Sequence, residues 1–380
     1  MKIVQLLPEL NEGGVERGVV ELSRELIKLG HESIVISNGG KQAGQIALDG
    51  GQHIKLDVCS KNLLTAPFRI MMLRCCLREL NPDIIHARSR VPAWLAWLAN
   101  KSLRIPFVTT VHGFNSVNVY SRIMTRGDRV ICVSGAIKAY IQQHYGVPDD
   151  VIHVIPRGID LDTFNPDNLD ADFMQSFKDE YALSGRFVVT SVGRITQLKD
   201  YETFIRAIDS LRTEFPEIIG LIVGGVHAAK SSYFKSLQLL VVSLGLEGHV
   251  VFSGSQSKIA EVYALSDVVV SSSKKPESFG RSAAEALAME VPVVATAHGG
   301  MLDIVVPGIT GNLFAPGDVP AMVSAVRSLR ERPLTGLREF VVMNFTLENM
   351  VGKTRKVYKE LSNREGLDEI PATQTIGKST

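Results

Sequence analysis

Along most of the chain, short runs rich in β-branched residues alternate with longer segments of helical period, the pattern of parallel βα units. In the first half this predicts strands at Ile3–Leu7, Ser33–Ser37, Ile84–His86, Phe107–Val111, Val130–Val133 and Val151–Ile155. Helical segments lie between most of them, such as Val15–Leu29, which Gly30 is placed to terminate. From Asp160 to Arg186 the pattern stops, and a polar stretch broken by Asn165-Pro166 predicts an irregular connector. It resumes with strands Phe187–Val192, Ile218–Val223, Val250–Phe252, Val268–Ser271 and Val291–Ala295. The helices expected among these lie near Tyr201–Phe215, through Leu244, at Ile259–Leu265 and at Gly280–Met289. Met343 to about Ser362 predicts a terminal helix.

Two series of this kind, in 380 residues, exceed what one hydrophobic core serves. The fold class is therefore α/β, with two Rossmann-like, doubly wound domains facing a central cleft. The expected division is a first domain over residues 1–165 and a second over 166–345. A terminal helix over 346–365 would pack back toward the first domain, and 366–380 would form a polar tail. Open parallel sheets bind ligands beyond the C-terminal ends of their strands, so functional residues should directly follow strands.

Composition narrows the function. Hydrophobic residues make up 45% and charged residues 21%, ordinary for a soluble protein. A net charge of +1 gives no support for a nucleic-acid partner. Charge is uneven, however: between Lys61 and Arg129 eleven Lys and Arg face three acids, which suggests one side that meets something anionic. Cys59, Cys75, Cys76 and Cys132 have no metal-ligand spacing and are too few for a disulfide framework, as expected of reduced cytoplasmic thiols. The N-terminus enters a strand without the layout of a signal peptide, and no run of about 18 apolar residues exists.

The most informative segment is Pro276-Glu277-Ser278-Phe279-Gly280-Arg281-Ser282-Ala283-Ala284-Glu285. Glu277 falls on the loop after a strand and Glu285 two turns into the following helix. Ser278, Phe279 and Gly280 would present free amides at the helix N-terminus, a site for a diphosphate. Glu285 can accept hydrogen bonds from a ribose diol, and Glu277 can hold sugar hydroxyls. A second element, Gly193-Arg194-Ile195-Thr196-Gln197-Leu198-Lys199, also follows a strand. Asn11-Glu12-Gly13-Gly14 allows a close backbone approach to phosphate or sugar, but lacks the G-x-G-x-x-G spacing of a dinucleotide site.

These segments resemble the retaining family 4 glycosyltransferases, whose fold is GT-B. Pro276–Glu285 is similar to that family's E-x7-E motif, and Gly193–Lys199 to its G-R-x4-K element. The resemblance implies that Glu277 contacts the transferred sugar and Glu285 the nucleotide ribose. It implies that Arg194 and Lys199 hold the donor diphosphate where no dedicated metal does so. It places Gly13, Gly14, Gly193, Ile259, Ser278, Phe279, Gly280 and Arg281 around the donor, and His112, at the end of a strand, near the reacting sugar. His86, at another strand end, reads as structural. Pro156-Arg157-Gly158-Ile159-Asp160 departs from the family's P-N-G-V-D turn at Arg157, and Gly299-Gly300-Met301-Leu302-Asp303 departs from G-G-x-P-E. Asp160-x-Asp162 and Asp170-x-Asp172 imitate a metal-binding D-x-D but lie in the connector, so no metal or other cofactor is expected.

The implied reaction moves a sugar, with retention, from a UDP- or GDP-sugar to the hydroxyl of a saccharide or lipid-linked saccharide in lipopolysaccharide or another envelope glycan. An epimerase or a sugar-releasing hydrolase of the same fold, and a non-catalytic nucleotide-sugar sensor, are the competing readings. Ile70, Leu73, Leu77 and Leu80 have the spacing of a buried helix face, whereas Met71 and Met72 fall outside it. With Arg69, Arg74 and Arg78 beside them, they suggest docking on an anionic membrane surface, expected to weaken when those arginines become Gln.

Overall fold

The computed structural model describes residues 1–11, 13–226 and 231–362. The first series forms a parallel sheet of β1 (Lys2–Leu6), β2 (Glu32–Ser37), β3 (Gln52–Lys55), β4 (Ile84–Ala87), β5 (Phe107–Val111), β6 (Arg129–Cys132) and β7 (Ile152–Val154). Their order is β3-β2-β1-β4-β5-β6-β7, so the chain winds outward from β1 in both directions. The helices of this half are α1 (Gly14–Lys28), α2 (Ala43–Leu48), α3 (Ala66–Leu80), α4 (Arg90–Asn100) and α5 (Gly135–Tyr145). β4 and β5 are buried at every position, as strands covered on both faces must be.

In the second half α6 (Ala171–Glu180) precedes β8 (Phe187–Val192), α7 (Tyr201–Leu211), β9 (Ile218–Val223), α8 (Ser231–Ser243), β10 (Val250–Gly254) and α9 (Ile259–Ala264). Then come β11 (Val268–Ser271), α10 (Arg281–Ala288), β12 (Val293–Thr296), α11 (Met301–Ile304), β13 (Gly311–Phe314), α12 (Val319–Glu331), α13 (Leu337–Asn344) and α14 (Leu347–Leu361). The second sheet is parallel, with order β10-β9-β8-β11-β12-β13. The crevice of each half opens where its strand order reverses, beside β1 and β4 in one and β8 and β11 in the other.

Three expectations need correction. The connector is not wholly irregular, because α6 forms within it. Asp170 caps this helix by accepting from the Phe173 amide at 2.9 Å, and Phe173, Phe177 and Tyr181 stack one turn apart. The terminal helix does not begin at Met343. α13 ends at Asn344, and Thr346 starts α14 by accepting from the Asn349 amide at 3.0 Å. The edge strands β3 and β13 were not anticipated, since each has four residues and little apolar alternation. The polar tail, 366–380, lies outside the described residues.

The last helix packs on the first sheet. Val351, Val357 and Tyr358 join a core cluster with Ile3, Leu22, Leu26, Ile84 and Val108. Tyr358 Oη lies 2.6 Å from His86 Nδ1, and Thr110 Oγ1 lies 2.6 Å from His86 Nε2. Burial, aided by Arg88, holds this imidazole neutral, with its pKa well below the usual value. In the unfolded chain it titrates normally, so below about pH 6.5 the unfolded state binds a proton that the folded state refuses. Stability is therefore expected to fall on acidification through pH 6.5, by about 1.4 kcal/mol per pH unit for each such histidine. Denaturant titrations of wild type and His86→Gln at pH 7.5 and 5.5 check this. The variant should show a shallower pH dependence, and an identical one would remove His86 from the account.

Candidate active site in the interdomain cleft

The loops leaving β8 and β11 carry the two charged motifs and are tied together. Ser272 Oγ donates to the carbonyls of Lys199 and Asp200 at 2.9 and 3.0 Å, and Lys274 Nζ pairs with Asp200 Oδ1 at 3.0 Å. Lys199 Nζ thereby stands 2.7 Å from Glu277 Oε1, which also accepts from Ser273 Oγ at 2.7 Å. Burial alone would raise the Glu277 pKa. The Lys199 ammonium, the Ser273 hydroxyl and the nearby His298 outweigh it and hold the carboxyl below its ordinary value, hence ionised at neutral pH.

Gly299 and Gly300 fix Glu277 from behind. The Gly300 amide donates to the Glu277 carbonyl at 2.7 Å, and Gly299, at φ 63°, packs directly against the same peptide. A Cβ there would combine a strained backbone with a clash, so this pair is a brace for the glutamate loop. The amides of Ser278, Phe279 and Gly280 have no hydrogen-bond acceptor among the described residues. They lie at the start of α10, where the helix supplies a partial positive charge.

Glu285, one of the buried positions of α10, is already engaged. It accepts from Arg281 Nε at 3.0 Å and from Tyr263 Oη at 3.3 Å, and Arg17 Nη1 approaches to 3.6 Å. Arg281 Nη2 also reaches Glu21 Oε1 at 2.6 Å, and Arg17 Nε reaches the same oxygen at 2.9 Å. Arg17 and Glu21 belong to α1, Arg281 and Glu285 to α10, so four charges alternate across the cleft. Burial raises the Glu285 pKa even though Arg281, Arg17 and Tyr263 oppose it. Each carboxylate oxygen accepts one hydrogen bond here and keeps a second lone pair for a further donor. Two further contacts close the same cleft: Asp303 Oδ2 accepts from the Gly135 amide at 2.7 Å, and a Cβ on Gly113 would lie 3.3 Å from Ser278 Oγ.

The first domain contributes a cationic wall. Arg157 donates to the Gly14 carbonyl and lies 3.2 Å from His112 Nδ1. The glycine loop of Gly13 and Gly14 thus starts α1 beside a guanidinium. Burial, with Arg281 and Arg88 adding and Glu21 and Glu16 opposing, lowers the Arg157 pKa to about 10. Burial likewise lowers that of Arg88 to about 10, and Arg88 Nε is buried without a partner. Burial and the charges of Arg157 and Arg88 keep His112 neutral, with Nε2 unpartnered. A cavity of about 270 Å³, lined by Pro8, Glu16, Arg88, Arg90, His112 and Asn115, opens at this wall.

Arg194 is exposed and makes no hydrogen bond or ion pair among the described residues, although its loop adjoins Lys199. Gly193 underlies that lysine, at close approach to its Cε. Ile259, the first residue of α9, is half-buried where two apolar clusters meet. The first carboxylate of each D-x-D is occupied: Asp160 pairs with Arg24 and accepts the Asp162 amide, and Asp170 caps α6 and pairs with Lys258. Sequence reasoning missed Arg17, Glu21, Arg88, Tyr263 and Ser273. Arg17 and Glu21 carried a signal in their four-residue spacing on α1; the others meet the site only through the tertiary fold.

The basic stretch requires a correction. Arg69 is buried and donates to the carbonyls of Ser60 and Asn62 at 2.8 and 2.7 Å, while Arg74 donates to that of Ala99 at 3.2 Å. These arginines tie the 60–65 loop and α4 to α3. Of the three arginines on α3, Arg78 alone is exposed. Met71 and Met72 are exposed, as expected, and Leu73 and Leu77 are core. Among the described residues no helix is long and apolar enough to cross a membrane.

Two family models match the chain: Glycosyltransferase Family 4 over residues 12–163 and Glycosyl transferases group 1 over 173–340. A glycosyltransferase structure from Rickettsia africae superposes with a TM-score of 0.88 at 30% identity, over 96% of this chain and 99% of that one. The Anabaena protein HepE, solved in complex with UDP, superposes with a TM-score of 0.84 at 20% identity, over 95% and 100%. A D-inositol 3-phosphate glycosyltransferase of Xylanimonas cellulosilytica is 27% identical over 83% of each chain. With two Rossmann-like domains, the charged motifs meeting at their cleft and both halves matched, the chain belongs to the group 1, family 4 glycosyltransferases of GT-B fold.

Proposed function

We propose that the protein is a retaining, metal-independent hexosyltransferase that takes a sugar from a UDP- or GDP-sugar and delivers it to an acceptor hydroxyl. The observation that carries this is the Lys199–Glu277 pair, 2.7 Å apart, beside three amides without acceptors at the start of α10. A diphosphate leaving group gathers negative charge as the sugar departs, and this corner offers an ammonium and oriented amides to receive it. Arg194, exposed on the same loop, is the second cation for that diphosphate. Glu277 binds sugar hydroxyls. Glu285 binds the ribose with the lone pairs that Arg281 and Tyr263 leave open. His112, neutral and with Nε2 unpartnered, is the group on the acceptor side that hydrogen-bonds the reacting sugar. No carboxylate is placed as a nucleophile in this reading, so the leaving phosphate itself accepts the acceptor's proton, on the face from which it departs.

The test is incubation with UDP- and GDP-hexoses in EDTA, with released nucleotide and the anomeric configuration of the product measured by NMR. Turnover should survive chelation and the configuration should be kept. Turnover lost in EDTA and restored by manganese or magnesium would overturn metal independence, and release of free sugar or epimer alone would favour a hydrolase or an epimerase.

The acceptor is proposed to be a saccharide on a lipid, in lipopolysaccharide or another envelope glycan, reached by docking the first domain on the cytoplasmic leaflet. Phe68, Met71 and Met72 are 61%, 53% and 42% exposed and follow Leu63 and Leu64, exposed in the loop before α3. Lys61, Arg122 and Arg126 are exposed in the same domain, each worth about 1 kcal/mol at an anionic surface. Co-sedimentation with vesicles containing phosphatidylglycerol should recover the protein, less so as salt rises. Replacing Phe68, Met71 and Met72 together by Ser should abolish recovery. Arg74→Gln should act through stability alone, its guanidinium being turned inward; selective loss of vesicle binding in that variant would contradict the assignment.

A further inference from the structure

A second cavity, of about 410 Å³, lies outside the cleft between α3, α4 and the 60–65 loop, and no step of sugar transfer uses it. Leu63, Ala66, Ile70, Val91, Trp94 and Leu98 line it. Of the two lining cations, Arg69 spends its guanidinium on the carbonyls of Ser60 and Asn62, and Lys61 is exposed to solvent, so what the chamber offers a ligand is mainly hydrocarbon. Outside this chamber Phe68, Met71, Met72 and Cys75 follow the spacing i, i+3, i+4, i+7 and form an exposed stripe on α3. Leu63 and Leu64, 84% and 92% exposed, extend it, and Val119, at 77%, stands beside Tyr120, another lining residue. Large apolar side chains exposed together along one helix face and the loop before it signal a partner rather than scattered surface leucines.

The partner's chemistry follows from what separates this chamber from the cleft. Tyr120 lines the chamber, and the Arg90 guanidinium carbon lies 5.3 Å from the centre of its ring. Arg90 in turn lines the cleft cavity with Arg88 and His112. From the apolar chamber to the reacting end, a ligand therefore meets hydrocarbon, then a guanidinium, then the polar pocket of the cleft. A matching molecule carries an apolar chain, an anionic group next to it and hydroxyls beyond. We infer that the chamber holds the hydrocarbon chain of the acceptor, a lipid whose phosphate rests against Arg90 and whose sugar enters the cleft. The acceptor part of this inference rests on the transferase reading; the chain site stands on the chamber itself.

The chain holds two tryptophans, Trp94 and Trp97, perpendicular neighbours on α4 with ring centres 5.8 Å apart, so intrinsic fluorescence reports on the chamber. The probe is 11,12-dibromododecyl phosphate, titrated below its micelle concentration, because bromine quenches indole only at contact. Saturable quenching is expected, reversed by unbrominated dodecyl phosphate. Ala66→Phe and Ile70→Phe fill the chamber from two positions, and each should weaken binding at least tenfold. Arg90→Gln should weaken the alkyl phosphate but not dodecanol. Linear quenching, equal affinity in both filled variants, or quenching seen only with brominated vesicles would overturn the chain site. Thermal shifts with UDP and GDP in the same variants keep the two readings apart. Saturable alkyl phosphate binding without any response to a nucleoside diphosphate overturns the acceptor assignment. Nucleotide binding without alkyl phosphate binding overturns the chain site and leaves the transferase.

Discussion

Replacing Glu277 by Gln should lower turnover by about 10²–10³-fold while nucleoside diphosphate affinity changes only a few-fold. The substitution keeps the shape and the Ser273 hydrogen bond, and removes the charge that fixes Lys199 2.7 Å away. Without that anion the ammonium is free to settle on the ground-state diphosphate. Binding then strengthens or holds, while orientation toward the departing oxygen is lost. Lys199→Met should cost a similar factor, and the double variant little more than either single one, because the two groups act as a unit. Turnover measured beside calorimetric UDP and GDP affinity decides the matter. A Glu277→Gln variant with wild-type turnover would falsify the role given to the pair.

A larger structural penalty is expected at Glu285. Its carboxylate serves Arg281, Arg17 and Tyr263 at once, so Glu285→Ala leaves two guanidiniums sharing only Glu21. Stripping one partner from a buried ionic cluster costs about 3–5 kcal/mol, and here the lower end applies because Arg17 is partly exposed and recovers water. Glu285→Ala should therefore reduce thermal stability and weaken the nucleotide by at least tenfold. Glu285→Gln, which keeps an acceptor for Arg281 and Tyr263, should recover most of the stability and less of the affinity. Denaturant unfolding and calorimetry on the two variants separate these effects. Equal stability of Glu285→Ala and wild type would show that Arg281 and Arg17 find other partners.

Much of this was legible because parallel strands leave long apolar runs and their loops carry polar motifs. Glu277, Lys199 and Ser278 could be placed at strand ends from the sequence, and they meet at one corner of the cleft. α6 was missed because its signal, Asp170 followed by Phe173 and Phe177, is short and sits among breakers. β3 and β13 were missed because a four-residue edge strand need not alternate. Arg157, whose place in the cleft was open, reaches Gly14 and His112 because the segment after β7, Ile155–Arg157, passes Gly18, Glu21 and Leu22 of α1. The arginines of α3 show the opposite error. A cation next to apolar residues reads as a surface feature, but nothing local reveals that Arg69 and Arg74 are turned to backbone carbonyls.

The hydrogen bond between His86 and Tyr358 spans 272 residues and ties the first sheet to the last helix. On the ribosome, Ile155 therefore emerges about 200 residues before the side chains that cover Ile3, Leu22 and Leu26. At bacterial and eukaryotic synthesis rates of about 5–20 residues per second, that gap lasts roughly 10–40 s. During this interval the nascent first domain carries an uncovered apolar face, a target for chaperones, while the second domain can already complete its sheet. A stop codon placed before Leu347 would make that interval permanent.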